Sequence, residues 1–226
     1  MSFNVKKQCI VLLSGGLDSS TVLNIALENY DVTALIFDYG QRHKFEISAA
    51  KIIAKTAGVP IKLITIDLGQ FGNSALTDNI EVPKNQEIGK EIPITYVPVR
   101  NTIFLSYALA FAEVNNIFDI FIGVNALDYS GYPDCRPEFI EAFQKMANEG
   151  TKFAQGNEKI KIHTPLISLT KAEIILTGKK LNVDYKLTHS CYDPSIDGLS
   201  CGECDACILR KEGFASAGIN DPTTYI

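Results

Sequence analysis

The chain has 226 residues, 46% of them hydrophobic and 21% charged, and a net charge of −5. That length holds one α/β domain with a small appendage, and that composition is rich enough to bury a core. The acidic balance argues against a protein that grips long stretches of RNA or DNA, and no apolar run approaches the roughly 18 residues of a membrane span.

Residues 8–13 (QCIVLL) carry an apolar run that ends at a glycine loop, the pattern of a central parallel strand buried on both faces. The run resembles a signal peptide only in length. It lacks a small-residue cleavage site, so a core strand and a cytoplasmic protein are expected. A helix follows over 19–28, a second strand over 32–37, a helix over 43–57 closed by Gly58, and a third strand over 61–67. This β-α-β-α-β order predicts a parallel sheet with helices on both faces. Residues 68–93 are polar, with Gly, Asn and Pro throughout, and read as an excursion or flap outside the core. Next come an apolar helix over 102–113, a strand over 120–124, an amphipathic helix over 137–148 with Pro in its first turn, and a fifth strand over 160–164. Thr170-Lys171-Ala172-Glu173 is a capping box that opens a helix over 170–180. The fold expected is a three-layer α/β sandwich on a mostly parallel, five-stranded, Rossmann-like sheet. It is divided into a main domain over 1–187 and a small cysteine-rich module over 188–226.

Between the first strand and first helix lies SGGLDSS (14–20). Glycines let backbone N–H groups approach an anion, and the helix N-terminus adds unpaired donors and partial positive charge. Ser14, Ser19 and Ser20 add hydroxyls. The loop is neither a Walker A motif nor G-x-G-x-x-G. It resembles the PP-loop of ATP pyrophosphatases, in which this loop holds the β,γ-pyrophosphate and ATP is cut between its α and β phosphates. Asp18 would repel phosphate there unless Mg²⁺ bridges them. The plain alternative is a strand–turn–helix corner with Asp18 favouring the helix dipole.

Six cysteines are present, and four of them, Cys191, Cys201, Cys204 and Cys207, crowd one segment. In a chain of this length the set reads as reduced thiols around a metal, the ligand set of a closed structural Zn²⁺ site. An iron–sulfur cluster and disulfide or free cysteines are the alternatives. Arg210 and Lys211 stand beside the knuckle and would offset thiolate charge. With four thiolates filling a tetrahedron, His189 is left as a substrate-side or structural residue.

Taken with the segments DYGQRH (38–43), VPVRNTIFLS (97–106), GVNALDYSGYPDCRPEF (123–139), TPLISLTKAEI (164–174) and THSCYDPSIDGLSCGECDACILRKEGF (188–214), the phosphate loop and cysteines resemble the 7-cyano-7-deazaguanine synthase family over nearly the whole chain. The resemblance implies a carbon–nitrogen ligase of queuosine and archaeosine precursor synthesis. ATP activates the carboxylate of 7-carboxy-7-deazaguanine, ammonia gives the amide, and a second activation yields the nitrile. With no glutaminase domain in the resemblance, ammonium is expected from solution. A homodimer, Mg²⁺ and one structural Zn²⁺ are implied as well, and neither nucleic acid nor membrane as partner.

The ATP site is assigned to Leu13, Ser14, Gly15, Gly16, Leu17, Asp18, Ser19, Ser20, Asp38, Gln41, His43 and Lys171. For Asp38, Gln41 and His43 the alternative is turn chemistry, and for Lys171 a solvated surface cation. Arg100 is read as a ligand of phosphate or carboxylate, or else as an exposed helix-start residue. Arg136 would pair with the substrate carboxylate, and Asp18, Arg100 and Arg136 form the expected catalytic set. Asn101 is placed on the substrate, and Asp128 or Asp134 would accept from a guanine-like edge. These loops lie beyond the carboxyl ends of parallel strands, where ligands bind. Cys135 and Cys9 read as buried small hydrophobes. A PP-loop enzyme that modifies tRNA by thiolation or lysidine formation, and a non-enzymatic nucleotide sensor, are the competing classes. Tight, salt-sensitive tRNA binding would favour the first, and ATP binding without turnover the second.

Overall fold

The computed structural model describes residues 6–86, 89, 91–127 and 132–226. Five strands, β1 (Lys7–Leu12), β2 (Tyr30–Asp38), β3 (Ile61–Thr65), β4 (Asp119–Phe121) and β5 (Lys161–His163), form one sheet in the order β3-β2-β1-β4-β5, and every pairing is parallel. The helices are α1 (Leu17–Asn29), α2 (Phe45–Thr56), α3 (Arg100–Asn115), α4 (Pro137–Gly150), α5 (Lys171–Lys180) and α6 (Asp205–Ser216).

Alternation along the strands creates two cores. Ile10 and Leu12 of β1, Leu35 and Phe37 of β2, and Ile120 of β4 point to one face, where they meet Leu105 and Ala108 of α3 and Phe143 of α4. Cys9 and Val11 of β1, Ala34 and Ile36 of β2, and Phe121 of β4 point to the other, against Val22 and Leu23 of α1, Ile47 and Ile53 of α2, and Ile174 of α5. A strand buried on both faces must be apolar at every buried position, which is why 9–13 reads as an unbroken apolar run while Gln8, at the exposed start of β1, is polar.

The chain walks outward from β1 through β2 to β3, then returns to the other side of β1 for β4 and β5. β1 and β4 are therefore neighbours whose connections diverge, and the crevice beyond their carboxyl ends is the position where open α/β sheets bind ligands.

Three expectations change. β4 spans only Asp119–Phe121, with Ile122 N adding a bond to the His163 carbonyl at 3.0 Å, and residues 123–124 continue as a loop. Segment 68–93 is not outside the core: Leu68 and Leu76 join the cluster under α3, and Ala75 and Val82 pack with the four cysteines. Arg42 ties it down through the carbonyls of Ala75 and Ile80 at 3.4 and 2.9 Å. The cysteine segment also continues into a helix, α6, that packs on α5 and sends Phe214 into the core beside Val22 and Ile174. Its sparse apolar residues carry little amphipathic signal, so the sequence alone did not reveal it.

Candidate active site at the end of the sheet

The glycine loop turns at Gly15, with φ +86°, against the first turn of α2; a Cβ there would lie 2.3 Å from the Glu46 carbonyl oxygen and 2.7 Å from the Ala50 nitrogen. Only glycine supplies both the backbone angle and the space. Gly16 occupies the N-cap of α1 without offering a side chain, and from far along the chain Ser190 Oγ accepts from Leu17 N at 3.4 Å. Leu17, Asp18 and Ser19 of this first turn line the crevice, and the N–H groups of a helix start suit an anion. The Ser14 and Ser19 hydroxyls lie 3.0 Å apart, and Ser20 Oγ donates to the Gly16 carbonyl at 2.7 Å. Ser20 is thus a structural brace of the loop.

Asp18 projects from this helix start, and the Lys171 ammonium grips both of its carboxylate oxygens at 2.8 and 2.9 Å. Lys171 is the first residue of α5, inside the Thr170–Glu173 capping box. It is only 9% exposed, so it is not the solvated surface cation weighed from the sequence. α6 makes this placement possible: a Cβ on Gly213 would sit 2.3 Å from Lys171 Cγ, so the two helices touch only because that position has no side chain. A carboxylate in an anion cradle needs a cation beside it, and here the chain supplies one.

The crevice is walled by the loop, by Phe37 and Tyr39 at the end of β2, by Glu46, by Arg100, Asn101 and Phe104 of α3, and by Gly123 to Asn125 after β4. Tyr132, Cys135, Lys171 and, from the cysteine segment, His189, Ser190, Tyr192, Ala206 and Arg210 complete it. Arg100 opens α3 immediately after Val99, whose φ of +52° is left-handed, and its guanidinium lies 5.9 Å from the Tyr39 ring centre. Burial pushes the Cys135 thiol up to about 12, so it is a neutral thiol and packs as the small hydrophobe expected. His189 is pushed down to about 4 by burial, with His43 adding repulsion, and its Nε2 is buried without a hydrogen-bond partner. Its backbone N–H donates to the Gly15 carbonyl at 2.9 Å, fastening the cysteine segment to the phosphate loop.

Leu13, Ser14, Gly16, Leu17, Asp18, Ser19, Lys171, Arg100 and Asn101 line the crevice; Gly15, Ser20, Asp38, Gln41, His43, Asp134 and Arg136 do not. Asp38 is engaged by the Lys44 ammonium at 2.7 Å. Gln41 braces its turn, accepting from Tyr39 N at 2.7 Å. Asp134 Oδ2 accepts from Asn101 N at 3.0 Å, and Asn101 Nδ2 returns a bond to the Asp134 carbonyl at 3.1 Å. The two are partners that fix the start of α3, and the Asp134 carboxyl, buried, stands above the usual carboxylate range because of desolvation. Arg136 is exposed at the N-cap of α4. Asp128 lies outside the described residues. Sequence reasoning missed Tyr39, Glu46, Tyr132 and Tyr192. Tyr39 stood inside the quoted DYGQRH segment, but nothing in a one-dimensional pattern says which of its side chains turn inward.

Cys191, Cys201, Cys204 and Cys207 are all buried, with their sulfurs within 4.8 Å of one another. A tetrahedron of metal–sulfur bonds of about 2.3 Å spans roughly 3.8 Å between sulfurs, and Cys201 and Cys207 lie 4.0 Å apart. The set fits a single tetrahedral ion; an iron–sulfur cluster places several atoms between its thiolates and needs a wider cage. Backbone N–H groups of Tyr192, Cys201, Glu203 and Cys204 donate to these sulfurs at 3.2 to 3.4 Å. Arg210 does not serve the cysteines as expected: it pairs with Asp221 at 3.0 Å and donates to Thr188 and Tyr185. Lys211 holds the knuckle through the Gly202 carbonyl at 2.9 Å.

Comparison with known proteins adds sequence and fold relatives. A family model described as queuosine biosynthesis protein QueC matches residues 8–218. The chain is 62% identical to a 7-cyano-7-deazaguanine synthase of Desulfatibacillum aliphaticivorans, covering 98% of this chain and 97% of that protein. It is 59% identical to one of Citrifermentans bemidjiense, covering 98% and 99%. Among solved structures, NMN synthetase from Francisella tularensis shares the fold with a TM-score of 0.51 at 20% identity, covering 96% of this chain and 79% of that one.

Proposed function

The chain belongs to the queuosine biosynthesis protein QueC family, and from that premise we propose that it is a 7-cyano-7-deazaguanine synthase working at the crevice beyond β1 and β4. The observation that carries the reading is the helix start at the glycine loop with the Asp18–Lys171 pair beside it. The reaction is the ATP-dependent conversion of 7-carboxy-7-deazaguanine and ammonium to the nitrile through an amide, a ligase reaction forming carbon–nitrogen bonds. A carboxylate oxygen is a poor leaving group, and adenylation of the carboxylate makes it a good one.

The loop N–H groups, with the Ser14 and Ser19 hydroxyls, bind the pyrophosphate and keep it fixed while the α–β bond breaks. Lys171 is within reach of the same phosphates and neutralises Asp18 between turnovers. Asp18 would hold Mg²⁺ when ATP is present, and the ion would supply charge neutralisation at the leaving pyrophosphate. Arg100, half-buried and facing the crevice, takes the activated carboxylate or the α-phosphate. Arg136, exposed and away from the lining, drops out of the catalytic set. The four cysteines hold Zn²⁺, and its role is structural: the segment they clamp carries Ser190, Tyr192 and Ala206 into the crevice wall. Work in the cytoplasm and as a homodimer belongs to the same proposal.

The test is mass spectrometry of products after incubation with Mg²⁺–ATP, ammonium and 7-carboxy-7-deazaguanine. A nitrile appearing with AMP and pyrophosphate is the expected result. An unchanged deazapurine would defeat the assignment.

A further inference from the structure

Among the described residues, two carboxylates line the crevice, Asp18 and Glu46. Asp18 belongs to the phosphate loop and is gripped by Lys171. Glu46 lies in the first turn of α2 and has no part in the anion cradle. Its Oε1 accepts from Gln41 Nε2 at 2.9 Å. Gln41 is itself immobilised, with Nε2 also donating to the Phe37 carbonyl at 3.3 Å and Oε1 accepting from Tyr39 N at 2.7 Å. An ionised carboxylate offers about four acceptor positions, so the Gln41 donor orients the group and leaves it capacity toward the crevice. Burial raises the Glu46 carboxyl above its ordinary range against the opposing pull of Arg100, Gln41 and Tyr39. Such a group gains from further donors. The adjoining wall is aromatic: Phe37 and Phe104 stack at 4.0 Å, and Tyr39 lies 5.5 Å from Phe104. Flat apolar surface beside an oriented anionic acceptor complements a planar heterocycle that carries two adjacent N–H donors.

We propose that Glu46 is a specificity-determining residue that accepts from the guanine-type edge of the substrate, the ring N–H and the exocyclic amine, while Gln41 positions its carboxylate. The proposal rests on the function proposed above. Asp134, which the sequence offered for this task, is occupied by Asn101 N and does not line the crevice.

The experiment compares kcat/KM for 7-carboxy-7-deazaguanine and for its counterpart lacking the exocyclic amine, in the wild-type chain and in Glu46→Gln. Far-UV circular dichroism and Tm establish folding. The wild-type chain is expected to favour the amine-bearing substrate by roughly 10- to 100-fold, the value of a charge-assisted hydrogen bond to a buried acceptor. Glu46→Gln presents an amide donor to the amine, and its preference is expected to collapse or reverse while KM for ATP is unchanged. Glu46→Asp keeps the charge on a shorter arm and retains part of the preference, so it carries the test if the Gln variant does not fold. Equal loss on both substrates, or discrimination that survives Glu46→Gln, overturns the proposal and leaves Glu46 as a brace of the turn. Wild-type turnover without any preference overturns it as well. No wild-type turnover of the amine-bearing substrate defeats the underlying function, and that result is distinct from a changed ratio.

Discussion

Asp18 carries a negative charge to a helix start built to receive anions, and Lys171 is what makes that tolerable. The two side chains are 18% and 10% exposed, so the pair is largely shielded from solvent. Lys171→Met is expected to lower stability by roughly 2–4 kcal/mol by stranding a half-desolvated carboxylate, and to remove turnover. A double-mutant cycle with Asp18→Asn read by urea denaturation checks this, and additive losses would show that the pair is not coupled. Asp18→Ala, with a native circular dichroism spectrum, is expected to have no measurable turnover, and near-normal activity would remove it from the mechanism. Val99 sits in the left-handed region at the start of α3, φ +52°, a conformation that costs a β-branched residue roughly 1–2 kcal/mol. Because it is half exposed, Val99→Asn is expected to raise Tm by about 2–4 °C. A lower Tm by calorimetry would show that the valine side chain contributes more than its backbone strain.

At the scale of elements, the contact of α5 with α6 decides where Lys171 stands. Gly213 leaves room for the Lys171 stem, and next to it Phe214, 2% exposed, packs edge-on against Tyr185 at 5.6 Å. Gly213→Ala is expected to push Lys171 off Asp18 and lower kcat by at least tenfold while a helix propensity gain offsets part of the packing loss. Steady-state kinetics on the folded variant would test it; unchanged kcat would mean that the lysine stem adapts. Phe214→Ala removes a core ring, and a loss of about 3–5 kcal/mol is expected in denaturant unfolding. The capping box of α5 was legible in the sequence because Thr170 and Glu173 satisfy one another locally, and both bonds are present. α6 was not legible, because its burial depends on a neighbour that is distant in the chain.

At the scale of the whole molecule, the cysteine segment is part of the crevice wall and is joined to the phosphate loop by His189 N and to segment 68–93 by Asn85 N donating to the Glu203 carbonyl at 2.9 Å. Removing the metal with a strong chelator, or by Cys204→Ser, is therefore expected to cost activity as well as local stability. Metal content, Tm and turnover should fall together, and a metal-free chain with full turnover would sever the link.

The sequence alone determined the parallel α/β sheet, the phosphate loop and the four-cysteine set, because each is written in local terms: apolar runs of strand length, glycines before a helix, and thiols a few residues apart. Tertiary structure decided the rest. Burial and pairing are properties of neighbours that the chain brings together from far apart, as when Lys171 crosses 153 positions to reach Asp18. The same juxtaposition turned Asp134 and Gln41 into braces, left Arg136 on the surface, and brought Glu46 and Tyr39 to the crevice wall.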